Sequence, residues 1–166
     1  MILATERLIL RPFLREDVDL LAELMKNRDF MRFSLGPYTH ERTEALLEKI
    51  LSWNKLGLPS QFAVILRENS QLIGYCGFFH QVVDEKSEIE IGYRLHPEYW
   101  NRGLATEAAK AVRDHAFHDL KLNRVISLIH PENVASRHVA EKVGMRLEKE
   151  TLSKGFPARV FSIKSC

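Results

Sequence analysis

The chain of 166 residues is short of several things, and each shortage narrows what it can be. It has only two cysteines, Cys76 and Cys166, in dissimilar settings, so no disulfide framework holds it together and a reducing cytoplasm suits it. No apolar run approaches the roughly 20 residues that a membrane-spanning helix needs. The N-terminus also lacks the apolar stretch of a signal peptide, so the expectation is a cytoplasmic protein without a membrane partner. The formal charge of +2 is too slight to imply nucleic acid, and no basic patch with interleaved aromatics appears. No repeat, low-complexity tract or linker divides the chain. There are seven histidines, but no metal is expected. His115 and His118 lie one turn apart on a predicted helix, and no Cys, Asp or Glu beside them is read as completing a ligand set. What remains, 45% hydrophobic and 28% charged residues, describes one globular domain over residues 1–166 that can close a core without staples.

In chain order, Thr5 to Pro12 alternates as a first strand, and Glu16 to Met25 carries a helical apolar stripe with acids in its first turn. Phe30, Met31 and Phe33 follow in a loop closed by Gly36-Pro37. Bulky apolar residues in a loop either tuck under the sheet as a satellite core or wall a pocket. Thr39 is a candidate N-cap for a second helix bearing Ala45, Leu46, Leu47, Ile50 and Leu51. Gln61–Leu66 and Leu72–His80 read as an antiparallel hairpin, and Gly74 and Gly77 mark a bend or a close approach in its second strand. Late in the chain, Leu122–Leu128 is a strand and Ala135–Lys142 a helix stopped by Gly144. Arg146–Leu152 and Arg159–Ile163 form a final hairpin.

Between these lies the stretch that organises the rest, SEIEIGYRLHPEYWNRGLATEAA, from Ser87 to Ala109. It opens as a strand with Ile89, Ile91, Tyr93 and Leu95 on one face and Glu88, Glu90 and Arg94 on the other. His96-Pro97 ends that strand. Asn101-Arg102-Gly103 then leads into the helix formers Leu104-Ala105-Thr106-Glu107-Ala108-Ala109. A strand, a glycine loop and a helix start make an anion site, because the first-turn N–H groups lack internal partners and the helix dipole adds positive charge. A phosphate or pyrophosphate is therefore expected over Arg102 to Thr106. The strand–helix–strand unit from Glu88 to Leu128 implies a parallel pair with a right-handed crossover in an otherwise mostly antiparallel sheet. The fold class is mixed α/β (α+β), with about seven strands and about four helices.

The string YWNRGLATEA resembles the acyl-CoA loop of the GNAT superfamily of N-acetyltransferases, Gln/Arg-x-x-Gly-x-Gly/Ala. Gly103 and Ala105 fill its last two places, and Trp100 stands where Gln or Arg is usual. That departure is similar to the branch containing the ribosomal-protein N-terminal (alanine/serine) acetyltransferases. Asn133-Val134-Ala135-Ser136 and Glu141-Lys142-Val143-Gly144-Met145 resemble the family's second motif, with Met145 replacing an aromatic. The element order agrees with the GNAT-like acyl-CoA N-acyltransferase fold along nearly the whole chain.

The resemblance implies an acetyl-CoA-dependent N-acetyltransferase, with acetyl-CoA as co-substrate and an amine acceptor, either a peptide N-terminus or a small molecule. Direct transfer in a ternary complex is implied. It implies cofactor contacts from Ile91, Gly92, Tyr93, Arg94 and Leu95 on the strand, from Asn101, Arg102, Gly103, Leu104, Ala105 and Thr106 at the helix start, and from Asn133 and Ser136. Glu90, a carboxylate just before the loop, is the candidate base. The plainer reading of Glu90 is an exposed strand acid twinned with Glu88. The resemblance also implies that the strand splays near Gly92 to Leu95; Gly92 fits a bulge there, the alternative being a plain strand glycine packed beneath an aromatic. Many relatives carry a tyrosine acid where this chain has Ala140, so the acid role passes to Ser136 or to water. Loss of that tyrosine also keeps open a different class, a non-catalytic acyl-CoA-binding or regulatory domain. Candidates for the acceptor wall are the Phe30–Phe33 loop, Trp53, Phe78 to His80 and the turn around Phe156. Oligomeric state is not legible, and a homodimer stays open.

Overall fold

The computed structural model describes residues 1–166. One sheet of eight strands is built from β1 (Leu3–Ala4), β2 (Leu8–Pro12), β3 (Gln61–Leu66), β4 (Gln71–Val83), β5 (Lys86–Leu95), β6 (Arg124–Ile129), β7 (Arg146–Ser153) and β8 (Phe156–Lys164). Their order across the sheet is β1-β2-β3-β4-β5-β6-β8-β7. Only β5 and β6 run parallel, joined through α3 (Leu104–Asp114), as the crossover argument required. The other helices are α1 (Val18–Met25), α2 (His40–Lys55) and α4 (Val134–Val143).

The expected first strand is broken into two pieces, β1 and β2, because Thr5 turns the chain: its N–H and its hydroxyl both reach the Leu8 carbonyl. The count is therefore eight strands rather than seven. The helix expected from Glu16 begins with a 3-10 turn, Arg15–Asp17, and becomes α-helical only at Val18. Thr39 caps α2 as expected, its Oγ1 accepting from Arg42 N–H at 3.2 Å.

Two apolar layers sandwich the sheet. On one face α3 and α4 bury Leu104, Ala108, Ala109, Val112, Ala140 and Val143 against Ile91, Leu95, Cys76 and Phe78. On the other, α1 and α2 bury Leu21, Leu24, Met25, Leu47 and Ile50 against Ala63 and Tyr75. Phe30 and Met31, each 3% exposed, belong to this second core, so the loop is mainly packing. Phe33 alone turns outward, against the His130 ring at 5.1 Å. Phe78 lies in the first core at 1% exposure, which removes it from any acceptor wall.

The alternation read for β5 is what two-sided packing needs. Ile91 and Leu95 enter the α3 layer, while Glu88, Glu90, Gly92 and Arg94 share the face that Tyr75 and Phe79 also occupy. Gly74 and Gly77 are explained by close approach. A Cβ on Gly74 would sit 2.0 Å from the Arg94 carbonyl oxygen, and one on Gly77 would sit 2.6 Å from that of Ser60. The histidine pair departs from expectation. His115 is buried, 8% exposed, and its Nδ1 lies 2.7 Å from Asp119 Oδ2, so an acid does stand beside it. The two sit in a π-helical turn, His115–Asp119, that ends α3. No group of three or more His, Cys, Asp or Glu is placed to hold a metal.

Candidate active site

Glu90 sits at the point where the sheet opens. The parallel pairing of β5 with β6 is registered at Glu90 and Ile126. A ladder continued from there would bring Leu128 N–H to the Ile91 carbonyl. Two side chains take that bond apart. Ser127 Oγ donates to the Ile91 carbonyl at 2.7 Å, and Leu128 N–H donates to Glu90 Oε2 at 2.8 Å. Beyond this point the strands diverge. Alternation along β5, fixed by His96 N–H donating to Ile73, turns the N–H groups of Tyr93 and Leu95 toward the gap. The gap is the splay implied near Gly92 to Leu95, but no bulge makes it. β5 pairs with β4 in unbroken register from Lys86 to Leu95. Gly92 instead lies beneath an aromatic: a Cβ there would meet the Phe79 ring at 2.8 Å.

Glu90 is 8% exposed, not the open strand acid of the plainer reading. Burial pushes its pKa up, while the bonds from Leu128 N–H and Gln81 Nε2 (2.9 Å) and the charges of Arg94 and Lys154 pull it down; burial wins. Glu88 is no twin, since Arg124 grips it at 2.7 Å and holds Glu148 on β7 at 2.6 Å. Arg94 donates to the carbonyls of Phe30 (2.9 Å) and Arg32 (3.4 Å), so its guanidinium ties down the Phe30–Phe33 loop rather than facing the start of α3. Any share it takes in a cofactor falls to its main chain.

At the start of α3, Gly103 is the N-cap at φ +77°, a left-handed conformation suited to glycine, and no side chain caps the helix. The first internal bond is Glu107 N–H to the Gly103 carbonyl. The N–H groups of Leu104, Ala105 and Thr106 are therefore left for an anion. Arg7 also attends this mouth. Its Nη1 donates to the Arg102 carbonyl at 2.8 Å, and its Nη2 lies 3.5 Å from where a Gly103 Cβ would be. Glu107 braces it through Nε at 2.8 Å. Burial would raise the Glu107 pKa, but bonds from Thr5 and from the Arg7 backbone and side chain hold it below the usual range.

Across the gap, Asn133 caps α4 by accepting from Ser136 N–H at 3.1 Å, a bond that does not engage its amide nitrogen. Ser136 is half-buried, and its carbonyl accepts from Tyr93 Oη at 2.8 Å, fixing α4 to β5. Burial raises the Tyr93 pKa, keeping that hydroxyl protonated as a donor.

Residues 7–146 match the acetyltransferase (GNAT) domain family. An uncharacterized N-acetyltransferase of Bacillus subtilis, YnaD, is 34% identical, over 92% of this chain and 89% of its own length. The chain belongs to the GNAT acetyltransferase family. Spermidine N(1)-acetyltransferase of Escherichia coli is 29% identical over 89% of this chain and 77% of its own length. The solved structure of a putative ribosomal-protein-serine acetyltransferase from Vibrio cholerae superposes with a TM-score of 0.82, covering 99% of this chain and 98% of that one. At 21% identity it speaks for the fold alone.

For a GNAT protein, Trp100, Ala140 and Met145 are the departures to place, and Met145 is simply buried in the first core. Trp100 anchors the loop, its Nε1 donating to the Leu95 carbonyl at 2.7 Å where β5 ends. Ala140 is 1% exposed within the α3/α4 core, so a tyrosine there would have to displace packing. Of the acceptor candidates, Trp53 stands over Phe79 and His80, with ring centroids at 6.3 and 4.6 Å. Lys154, in the turn with Phe156, is near enough for its charge to act on Glu90. Arg7, Gln81 and Ser127 were missed from the sequence. Only Ser127 left a trace, as a lone hydroxyl in the otherwise apolar run Val125–Ile129.

Proposed function

We propose that the protein is an acetyl-CoA-dependent N-acetyltransferase that moves the acetyl group directly onto a primary amine in a ternary complex. The observation that carries this is Glu90, a buried carboxylate with a raised pKa at the vertex of an opening whose far end is an uncapped helix start. The N–H groups of Leu104, Ala105 and Thr106, with Arg102 and Arg7, hold the diphosphate. The main chain at Tyr93 and Leu95 and the side chain of Asn133 line the pantetheine arm. The arm then points the thioester down the gap toward Glu90.

Only a neutral amine attacks, so Glu90 takes the proton that the ammonium sheds, directly or through one water. Nitrogen bonds to the carbonyl carbon and the charge passes to oxygen, where an N–H in the gap stabilises it. The C–S bond then breaks, and Ser136 Oγ gives the thiolate a proton that solvent restores. Holding both substrates along one line supplies much of the rate.

The competing reading, a domain that binds acyl-CoA without turnover, is favoured by Ala140. A buried, hydrogen-bonded Glu90 argues against it, because a carboxylate held dry at an opening costs stability, and proton transfer is a reason to keep it there. Incubation with acetyl-CoA and a panel of peptide N-termini, amino-acid amides and alkyl amines should release CoA thiol in step with acetylated product. Thermal stabilisation by CoA with no release on any acceptor would establish the binding domain instead.

A further inference from the structure

Gln61 opens β3 and is 1% exposed, yet neither of its buried amide atoms has a protein hydrogen-bond partner. Buried polar atoms without partners are few in native proteins, and an apolar residue at such a place is the more stable choice. Its neighbours on the same face of β3, Ala63 and Ile65, are that choice.

The surroundings show where the amide is aimed. The chain at Ser60–Gln61 rides directly over Gly77, whose added Cβ would lie 2.6 Å from the Ser60 carbonyl oxygen and 2.7 Å from the Gln61 Cα. From there the side chain reaches across to β5, and Nε2 ends 3.7 Å from where a Gly92 Cβ would be. Gly77 and Gly92 are cross-strand partners. The paired glycines thus leave a lane through which Gln61 extends from β3 to the strand that carries Glu90. Glu90 is two residues along on the same face, about 7 Å away by strand rise.

We infer that the Gln61 amide is an acceptor-binding group that selects amines with a neutral hydrogen-bonding group, such as an amide, beside the amino group. The inference rests on the proposed acetyl transfer and goes on to name the acceptor class. A primary amide offers one acceptor oxygen and a donor nitrogen side by side, the complement of another amide. An acceptor of the form amine–carbon–amide places its nitrogen at Glu90 while its amide meets Gln61. A bare alkyl amine, or a polyamine with a methylene chain at that place, leaves Gln61 unpaired in the complex. Charge points the same way. Glu88, the other carboxylate on this face of β5, is held by Arg124, while Arg94 and Lys154 act on Glu90 as positive charges. A second ammonium finds no free partner there.

The test compares wild type with Gln61→Met, which keeps length and removes both hydrogen-bonding atoms, on glycinamide and on its apolar counterpart isobutylamine. These amines ionise differently, so each is compared between proteins rather than with the other. With glycinamide, kcat/KM should fall roughly 10- to 100-fold, chiefly through KM. With isobutylamine it should stay within about twofold, and the KM for acetyl-CoA should not move. Without acceptor, Gln61→Met should melt no lower than wild type. Equal losses on both amines, no loss on either, or a variant too unstable to assay would make Gln61 structural and overturn the inference. Turnover of isobutylamine alone by wild type would overturn it too, with acetyl transfer left standing. Release of CoA with neither amine but with other acceptors of the panel would overturn it as well, and no release with any acceptor sinks acetyl transfer itself.

Discussion

Glu90 meets two demands that pull against each other. Burial raises its pKa above the ordinary carboxylate value, which makes it a stronger base, and the same burial disfavours the ionised form the base needs. The bonds from Leu128 N–H and Gln81 moderate this and keep the carboxylate pointed into the gap. Glu90→Gln retains an oxygen for Leu128 and loses the ability to take a proton, while its NH2 turns to Gln81, whose amide flips to accept it. It should lower kcat by about 10²- to 10⁴-fold with little change in the KM for acetyl-CoA, measured by CoA release. The acid limb of the kcat/KM profile set by Glu90 should vanish with it. Ser136→Ala probes the other proton. If its hydroxyl serves the departing thiolate, kcat should drop by roughly 10-fold or more on an acetyl-CoA substrate, with Asn133 still capping α4. An unchanged kcat would assign that proton to water or to Tyr93, whose hydroxyl is fixed at the same turn.

At the scale of elements, strand β5, the loop and helix α3 were legible because each obeys a local rule. β5 alternates, Pro97 stops it, and Gly103 followed by helix formers opens α3. What was not legible is how β5 meets β6. That opening depends on Ser127 and Glu90 intercepting a ladder across 36 and 38 residues of sequence, and periodicity carries no record of such a meeting. The same holds for Arg7, which reaches the mouth of α3 from 95 residues away, and for the reassignment of Gly92 from bulge to a place beneath Phe79. Gly103 is where the local rule and the distant contact coincide. Gly103→Ala forces a side chain into φ +77° and sets its Cβ at 3.5 Å from Arg7 Nη2. The strain should destabilise by about 1–2 kcal/mol. If the uncapped turn holds the diphosphate, the KM for acetyl-CoA should also rise severalfold while the acceptor KM stays put. A loss of stability alone, with acetyl-CoA affinity intact, would move the anion site elsewhere.

Across the whole molecule, the carboxylates with displaced pKa values sort into two groups with opposite pH signatures. Asp17 beside Arg11, Glu107 beside Arg7 and Glu148 beside Arg124 are held below their usual values, Glu148 at about 2. Their contributions are full above the ordinary carboxylate range and are lost as pH falls through the lowered values. Exposure of Glu148 and Glu107 weakens the first group's effect through solvent screening, so its acid limb should be shallow. Glu90 runs the other way: with its folded pKa raised, its contribution is present below the unfolded value and is lost as pH rises through the folded one. Wild type should therefore gain stability from acid up to the ordinary carboxylate range and then lose part of it as pH rises further through the raised Glu90 pKa. Glu90→Gln removes the second effect alone. Urea midpoints measured from acid to mildly alkaline pH should give two curves that differ least at low pH and diverge as pH rises, with Glu90→Gln the more stable above the Glu90 pKa. Parallel curves, or divergence on the acid side, would mean that Glu90 is not held dry in the folded chain. The raised base at the centre of the proposed transfer would then have to be abandoned.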